Sequence, residues 1–218
     1  KLTALGLDLG DDVATELLLG IVTAAEALDP PVFVRIDMED SQYTQRTLDI
    51  FRRVFSRHPT VGIVVQSYLF RTDADVAELC GMGASVRLVK GAYLEPPTIA
   101  YPEKEQVDAA YVRQAERLLS PEARAKGVRA AIASHDEAII AWVRRHAREG
   151  SIPKDAFEFQ MLYGIRRDLQ SALVADGFAV RVYVPYGRQW YPYFMRRLAE
   201  RPENLGFLVQ SVVRELKP

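Results

Sequence analysis

The sequence predicts an α/β fold, a (β/α)8 barrel of the TIM type that forms a single domain over residues 1–218. Short β-rich segments alternate with segments of helical spacing, which indicates a parallel sheet with right-handed crossovers. Several strands are apolar on both faces, as in a sheet that helices cover on both sides. Nearly every strand ends in charged or hydrogen-bonding residues. Chemistry drawn from many strand ends is typical of a barrel, whereas a doubly wound sheet concentrates it at one switch point.

The strands are predicted from runs of β-branched and aromatic residues between turn residues. We predict seven of them: Leu2–Leu5, Val32–Ile36, Val61–Val65, Val86–Val89, Ala130–Ala133, Phe157–Met161 and Val180–Val184. A closed barrel of this type has eight strands. Because the chain opens inside its first predicted strand, at Lys1, we expect a missing N-terminal strand and helix.

The helices are predicted from apolar residues that recur at helical spacing. The first, Asp11–Leu28, places Val13, Leu17, Ile21 and Ala24 on one face. An aspartate at position 11 or 12 is its expected N-cap. The remaining predicted helices are Ser41–Phe55, Asp73–Met82, Val107–Leu119, Asp136–Glu149, Arg166–Asp176, Tyr191–Arg201 and Phe207–Leu216.

The composition is that of an ordinary globular protein, with 49% hydrophobic and 26% charged residues. Twenty-eight basic residues against 29 acidic ones give a net charge of -1, which argues against a nucleic-acid partner. The single cysteine, Cys80, excludes an internal disulfide framework, and no metal-binding or Walker motif appears. No apolar run is long enough to span a bilayer. These features predict a soluble protein of a reducing, cytoplasmic compartment without a metal.

A long loop follows the fourth predicted strand and is the strongest candidate for a functional segment. It covers residues 91–105, and loops of this length after a barrel strand usually carry function. Lys90 immediately precedes this loop, at the end of a strand whose side chains can point into the packed interior of a barrel. A cation there is either one half of a structural salt bridge or part of an anion site. Gly91 would let the backbone approach a ligand closely, which favours the second interpretation.

Other polar residues at strand and helix ends also have two interpretations. The acidic group Asp37, Glu39 and Asp40 imitates a metal cluster, but no histidine is placed to complete it. Ion pairs with barrel arginines are therefore favoured for all three. His135, at another strand end, is a candidate acid–base group or phosphate donor.

The adjacent residues Arg196 and Arg197 are equally ambiguous. Glu200 lies one helical turn away, so the group fits a solvated charged face. Two neighbouring guanidinium groups also suit a single carboxylate, and the aromatic residues just before them could exclude water. Spacing alone does not decide between the two.

Seven sequence runs identify the chain more specifically. In order they are Lys1-Leu-Thr-Ala-Leu5, Arg35-Ile-Asp-Met-Glu39, Arg87-Leu-Val-Lys-Gly-Ala-Tyr93, Ser134-His-Asp136, Glu158-Phe-Gln-Met-Leu-Tyr-Gly164, Tyr183-Val-Pro-Tyr-Gly187 and Tyr193-Phe-Met-Arg-Arg197. Together they resemble the proline dehydrogenase family in its short monofunctional form. The resemblance covers essentially the whole chain, and the third and seventh runs are specific to that family.

The resemblance implies a distorted barrel that binds FAD at the C-terminal ends of its strands. Such an enzyme oxidises L-proline to Δ1-pyrroline-5-carboxylate and passes the electrons to a membrane quinone, through peripheral contact with the inner membrane face. The implied substrate residues are Lys1, Arg196 and Arg197 on the carboxylate, Tyr93, Leu162 and Tyr183 around the ring, and Asp37 holding that wall. The implied flavin contacts are Gln66, Arg87, Lys90, Gly91, Ala92, Ser134, His135 and Glu200.

Two alternatives remain open at this point. The chain could be another flavin-dependent amine oxidoreductase barrel, or a non-catalytic barrel whose arginines hold a carboxylate without chemistry. A yellow protein whose flavin absorption is bleached by L-proline would favour proline oxidation. A colourless protein that cannot be reconstituted with FAD would favour the binding protein.

We expect Arg196→Met and Arg197→Met each to raise the KM for L-proline by roughly 10- to 100-fold, because each removes a charged hydrogen bond to the carboxylate. A surface ion pair would instead leave KM unchanged and lower the free energy of unfolding by at most about 1 kcal/mol. Measuring KM and melting temperature on both variants separates these outcomes. An unchanged KM in both would remove the two arginines from the substrate site.

Overall fold

The computed structural model describes residues 1–187. The predicted helices Tyr191–Arg201 and Phe207–Leu216 lie outside the described residues. The chain divides into two compact units, Lys1–Ile132 and Ala133–Pro218. Each unit is described by itself below, the second as far as residue 187.

The first unit is built from parallel strands that alternate with helices, as the sequence predicts. A short 3₁₀ helix, Thr3–Leu5, opens it, followed by α1 (Asp11–Glu26), β1 (Val34–Ile36), α2 (Ser41–Phe55), β2 (Val61–Gln66), α3 (Thr72–Met82), β3 (Ser85–Val89), α4 (Lys104–Leu119), α5 (Pro121–Ala125) and β4 (Arg129–Ala133), which ends at the boundary. Strand β1 pairs with β2, β2 with β3 and β3 with β4, all in parallel. The carboxyl ends of β1 to β3 therefore lie at one edge of the sheet.

The second unit repeats the same alternation. It contains α6 (Glu137–Glu149), β5 (Phe157–Leu162), α7 (Arg167–Ala175) and β6 (Ala179–Tyr183). Strands β5 and β6 are parallel, and Leu162 is in register with Tyr183 at their carboxyl ends. With these two strands, six of the seven predicted strands are confirmed, each within two residues at either end.

The first predicted strand, Leu2–Leu5, is wrong. Residues 3–5 form a 3₁₀ helix, and the backbone N–H groups of Leu5 and Leu7 both donate to the carbonyl of Leu2. Gly6 ends the helix with a φ of +84°, a left-handed conformation that suits glycine. This turn buries both Leu2 and Leu7. The apolar Leu2 that suggested a strand is therefore buried at the start of a compact turn instead.

The face of α1 that packs inward differs from the apolar face that the helical spacing singles out. The structure buries Ala14, Leu18 and Val22, whereas Val13, Leu17, Ile21 and Ala24 are exposed. Apolar residues occupy both of these faces, so the helical period alone does not determine which one packs inward. The helix begins after Gly10, and the aspartates at positions 11 and 12 lie in its first turn, not at the N-cap.

The core of the first unit is formed by buried residues of β2, α2 and α4. All six residues of β2 are buried, as expected for a strand that is covered on both faces. Leu48 and Phe51 of α2 are completely buried, and so is Tyr111 of α4. The Tyr111 hydroxyl donates to the carbonyl of Leu88 in β3 over 2.9 Å, which ties α4 to that strand. Among the helices of residues 1–187, none has the length and apolar character to cross a membrane.

We expect Leu48→Ala to lower the free energy of unfolding by about 2–5 kcal/mol, because it removes apolar contacts and leaves a cavity. Leu9→Ala is the matched control, since Leu9 is 83% exposed. Its effect should lie within about 0.5 kcal/mol. Denaturant titration of both variants measures the difference. Equal effects would contradict the burial of Leu48.

Candidate active site

Polar side chains gather at the carboxyl ends of β1, β2 and β3. Asp37 follows β1 directly, Gln66 is the last residue of β2, and Lys90 follows β3 directly. Because the strands are parallel neighbours, these side chains share one edge of the sheet. The edge therefore brings together residues that are 24 to 53 positions apart in the sequence.

An ion pair joins the first and third of these strands. A guanidinium nitrogen of Arg87 donates to the Asp37 carboxylate over 2.9 Å, and the two side chains are 15% and 32% exposed. The expected pairing of Asp37 with an arginine is confirmed. Partial burial makes such a pair stronger than one on the surface, because water screens it less.

The start of the chain contacts the long loop after β3. The Lys1 ammonium group donates to the Tyr93 hydroxyl over 2.8 Å, although the two residues are 92 positions apart. Lys1 itself is exposed, but Leu2 beside it is only 1% exposed. Burial of Leu2 therefore anchors the backbone from which the lysine side chain extends.

A buried carboxylate provides a second anchor for this segment. Glu39 is 7% exposed and accepts hydrogen bonds from the Thr3 backbone N–H at 3.1 Å and from the Thr3 hydroxyl at 2.5 Å. Among residues 1–187, the partner of the Glu39 carboxylate is therefore Thr3 and not the expected arginine. Asp40 also differs from that expectation, because it lies at the N-cap position of α2 and accepts from Gln42.

Gln66 is buried and contacts the backbone of Glu39, and it presents an acceptor that no described group satisfies. Its amide nitrogen donates to the backbone carbonyl of Glu39 over 3.2 Å. Its amide oxygen is buried and has no hydrogen-bond partner within residues 1–187. A buried acceptor without a partner is costly, so this atom indicates a place for a ligand that donates a hydrogen bond.

Gly91 is required by a close contact inside the protein. Its φ is +119°, and a Cβ atom at this position would lie 2.4 Å from the ring of Tyr68. The sequence indicated a close approach here, and the structure shows that the Tyr68 ring makes it. Tyr68 is 7% exposed, and burial raises the pKa of its hydroxyl.

Lys90 forms the salt bridge that was one of its two interpretations. Its ammonium group lies 2.5 Å from a carboxylate oxygen of Asp108 in α4, and the lysine side chain is 16% exposed. Lys104 contacts the same carboxylate. The role of Lys90 as a flavin contact stays a prediction, as does that of the neighbouring Ala92.

In the second unit, His135 contacts the end of β5. Its Nε2 atom accepts a hydrogen bond from the backbone N–H of Leu162 over 2.9 Å. Leu162 is the residue in register with Tyr183, so the histidine contacts one of two neighbouring candidate wall residues. Ser134 is buried, and its hydroxyl accepts from the Asp136 backbone N–H over 3.1 Å.

The electrostatics of His135 favour a hydrogen-bond donor over an acid–base group. Burial, and to a smaller extent the charge of Arg166, lowers the pKa of His135 to about 4. The ring is therefore neutral at pH 7. Because Nε2 accepts a bond, the ring proton is on Nδ1, which can donate to a ligand.

Sequence reasoning missed two residues that hold the loop after β5. Arg166 has a φ of 53° and is only 8% exposed, and its guanidinium lies 2.6 Å from Glu137 and 3.0 Å from Asp168. Gln170 donates to the backbone carbonyl of Leu162 over 3.2 Å. No local motif signals either contact, although Asp168, two residues after Arg166, was a hint for one of its two ion pairs.

Three predicted site residues, Arg196, Arg197 and Glu200, lie outside the described residues. The other twelve fall into two groups, one in each unit. Within residues 1–187, no cluster of three or more histidine, cysteine or acidic side chains is placed to hold a metal ion.

The comparisons with known proteins agree with these motifs. The family profile described as "Proline dehydrogenase" matches residues 8–210. The chain belongs to the proline dehydrogenase family. It is 43% identical to "Proline dehydrogenase 2" of Bacillus subtilis (strain 168), over 99% of this chain and 69% of that protein. It is 48% identical to "Proline dehydrogenase" of Deinococcus radiodurans, over 90% of this chain and 64% of that protein. Membership confirms the predicted class, an oxidoreductase of proline catabolism.

A solved relative confirms the fold class. The proline utilization A protein of Bdellovibrio bacteriovorus, described as inactivated by N-propargylglycine, superposes with a TM-score of 0.79 at 31% identity. The match covers 88% of this chain and 22% of that one. The chain thus spans about two thirds of its curated relatives and about a fifth of this solved protein. The predicted fold class of this chain, an α/β barrel of the TIM type, is therefore confirmed.

We expect the free energy of unfolding to fall as the pH decreases from about 6.5, the usual histidine value, to about 4, because of His135. Over this interval the unfolded chain binds a proton that the folded chain does not, so acid favours unfolding. His135→Gln retains an acceptor for the Leu162 N–H but cannot take up that proton.

Urea titrations of both proteins at several pH values in this range test the expectation. The carboxylates titrate in both proteins, so the difference between the two curves isolates the histidine. Parallel curves would contradict the lowered pKa of His135.

Proposed function

We propose that the chain catalyses the FAD-dependent oxidation of L-proline to Δ1-pyrroline-5-carboxylate, with a membrane quinone as the final electron acceptor. The observation that carries this proposal is a pair of contacts within the first unit, the Lys1–Tyr93 hydrogen bond and the Arg87–Asp37 ion pair. It unites four residues that the family motifs assign to substrate and flavin. The quinone, the cytoplasmic location and peripheral contact with the inner membrane face rest on family membership alone.

We assign the binding of the substrate carboxylate to basic side chains. The Lys1 ammonium is exposed and donates to Tyr93, so a carboxylate can approach both groups at once. Arg196 and Arg197 would complete the clamp, as the family motif implies. Charge-assisted bonds of this kind fix orientation as well as affinity, because their geometry is restrictive.

The family motif assigns the pyrrolidine ring to apolar and tyrosine side chains. Tyr93 supplies one part, and Leu162 with Tyr183 supplies another, each at the carboxyl end of a strand or just beyond it. The family motif also implies that Asp37 holds this wall in place, and the Asp37 carboxylate accepts a hydrogen bond from Arg87. Such walls hold the substrate close to the group that it reduces and exclude water from it.

The described residues fit a flavin. The unsatisfied buried oxygen of Gln66 requires a donor, and the imide N–H of a flavin ring is one. Arg87 supplies positive charge at the same edge, which favours an electron-rich ring. Lys90, Gly91, Ala92, Ser134, His135 and Glu200 complete the proposed flavin contacts. When bound, FAD supplies the acceptor for the hydride. This hydride leaves the proline ring carbon that is next to nitrogen and does not carry the carboxylate.

No described side chain at this edge is poised to remove the amine proton. His135 is neutral but has a pKa of about 4, which makes it a weak base. Asp37 is engaged by Arg87. We therefore infer that proline binds as its free amine, with its proton lost to solvent, so that the residues of the chain act by binding and orientation.

Anaerobic titration of the FAD-reconstituted protein with L-proline tests this function. We expect the flavin absorption to bleach, and Arg87→Met to slow bleaching by about 100-fold or more, because it removes a preorganised charge. Arg52→Met is the matched control: Arg52 also pairs with carboxylates, Glu78 and Asp49, but on the helical surface. Its rate should equal that of the wild type.

Two results would overturn the proposal. A protein that binds no FAD would favour the carboxylate-binding alternative. A flavoprotein that L-proline does not bleach, but another amine does, would favour a different amine oxidoreductase.

A further inference from the structure

Glu95 forms a long-range contact that the proposed chemistry does not use. It lies in the loop between β3 and α4, two residues after Tyr93. One carboxylate oxygen accepts from the Ser41 backbone N–H over 2.7 Å, and the other accepts from the Ser41 hydroxyl over 2.6 Å. We propose that Glu95 is a positioning residue that holds the Tyr93 hydroxyl where the substrate binds. This inference rests on the proposed function.

The contact caps a helix from a distant part of the chain. Ser41 is the first residue of α2, and the N-cap residue, Asp40, makes no side-chain capping bond of its own. The first N–H groups of a helix need acceptors, and negative charge is favourable at this end. Glu95 supplies both from 54 residues away, so the loop has one defined position on α2.

Tyr93 lies midway between this contact and a second fixed point. On its other side, two residues away, Gly91 packs directly against the ring of Tyr68. The backbone on both sides of Tyr93 is therefore held, which restricts where its side chain can go. Since Tyr93 accepts the Lys1 hydrogen bond, the position of one substrate residue depends on the other.

The rest of the loop has independent anchors. The Phe70 N–H donates to the Ile99 carbonyl over 3.0 Å, and the Tyr101 N–H donates to the Tyr68 carbonyl over 2.8 Å. Ala100 also forms an antiparallel bridge with Leu69. These backbone bonds remain when Glu95 is replaced. Its loss should therefore displace the segment around Tyr93 without unfolding the loop.

The test is steady-state kinetics of Glu95→Ala, Glu95→Gln and Ser41→Ala in the FAD-loaded protein. We expect Glu95→Ala to raise the KM for L-proline about 10-fold and to change kcat less than about 3-fold, because substrate is held less well but the flavin is unaltered. Glutamine still offers an acceptor oxygen without the charge, so Glu95→Gln should have an intermediate KM. Ser41→Ala removes one of the two bonds and should raise KM about 3-fold.

Ser120→Ala is the matched control. The Ser120 hydroxyl caps α5 by accepting from the Ala123 N–H over 3.1 Å, and Ser120 makes no contact with the loop around Tyr93 among the described bonds. Its loss should lower the melting temperature about as much as Ser41→Ala does, with KM unchanged.

The outcomes are distinguishable. The positioning role is supported if KM is highest for Glu95→Ala, intermediate for Glu95→Gln and lowest for the wild type, with flavin content retained in all three. Wild-type KM in all three variants overturns it, provided that the wild-type protein oxidises L-proline. If Glu95→Ala does not fold, Ser41→Ala and Glu95→Gln decide the question by the same criterion. A wild-type protein without proline-dependent bleaching rejects the proposed function instead.

Discussion

The buried carboxylate of Glu39 is the contact on which the arrangement of the first unit depends. Leaving a carboxylate unpaired in the interior is costly, so its bonds to Thr3 are strongly favoured. Those bonds fix the segment that carries Lys1. The backbone carbonyl of the same residue accepts from Gln66, which sets the orientation of that amide. One acidic residue just after β1 thereby organises the proposed substrate residue Lys1 and the proposed flavin contact Gln66 together.

The sequence predicted the strands well because a two-sided sheet leaves a clear local signal. Apolar runs such as β2 are short and bounded by polar residues, and they were found within two positions. The 3₁₀ helix at Thr3–Leu5 escaped detection because four residues cannot distinguish a turn from a strand. The inward face of α1 escaped for another reason. Apolar residues on both sides of that helix leave the choice to tertiary packing.

The site was predictable as a set of positions but not as a set of contacts. Polar residues at strand ends marked Asp37, Gln66 and Lys90, because the barrel order places such ends together. Which groups pair was not encoded locally. The bonds from Arg87 to Asp37 and from Lys1 to Tyr93 cross 50 and 92 residues. Family motifs named these residues, whereas Glu95 and Arg166 became visible only through their partners in space.

The contact between Gly91 and the Tyr68 ring limits which sequences can keep this fold. A smaller side chain at position 68 would make room for a Cβ at 91, but the φ of +119° would still penalise any residue other than glycine. Position 91 is therefore closed to variation by two separate constraints, steric and conformational, and relieving one leaves the other. Ala92 and Tyr93 carry neither constraint in their own backbone. Evolution can change the side chains at those two positions, and with them the shape of the proposed binding site, while the backbone that presents them stays fixed.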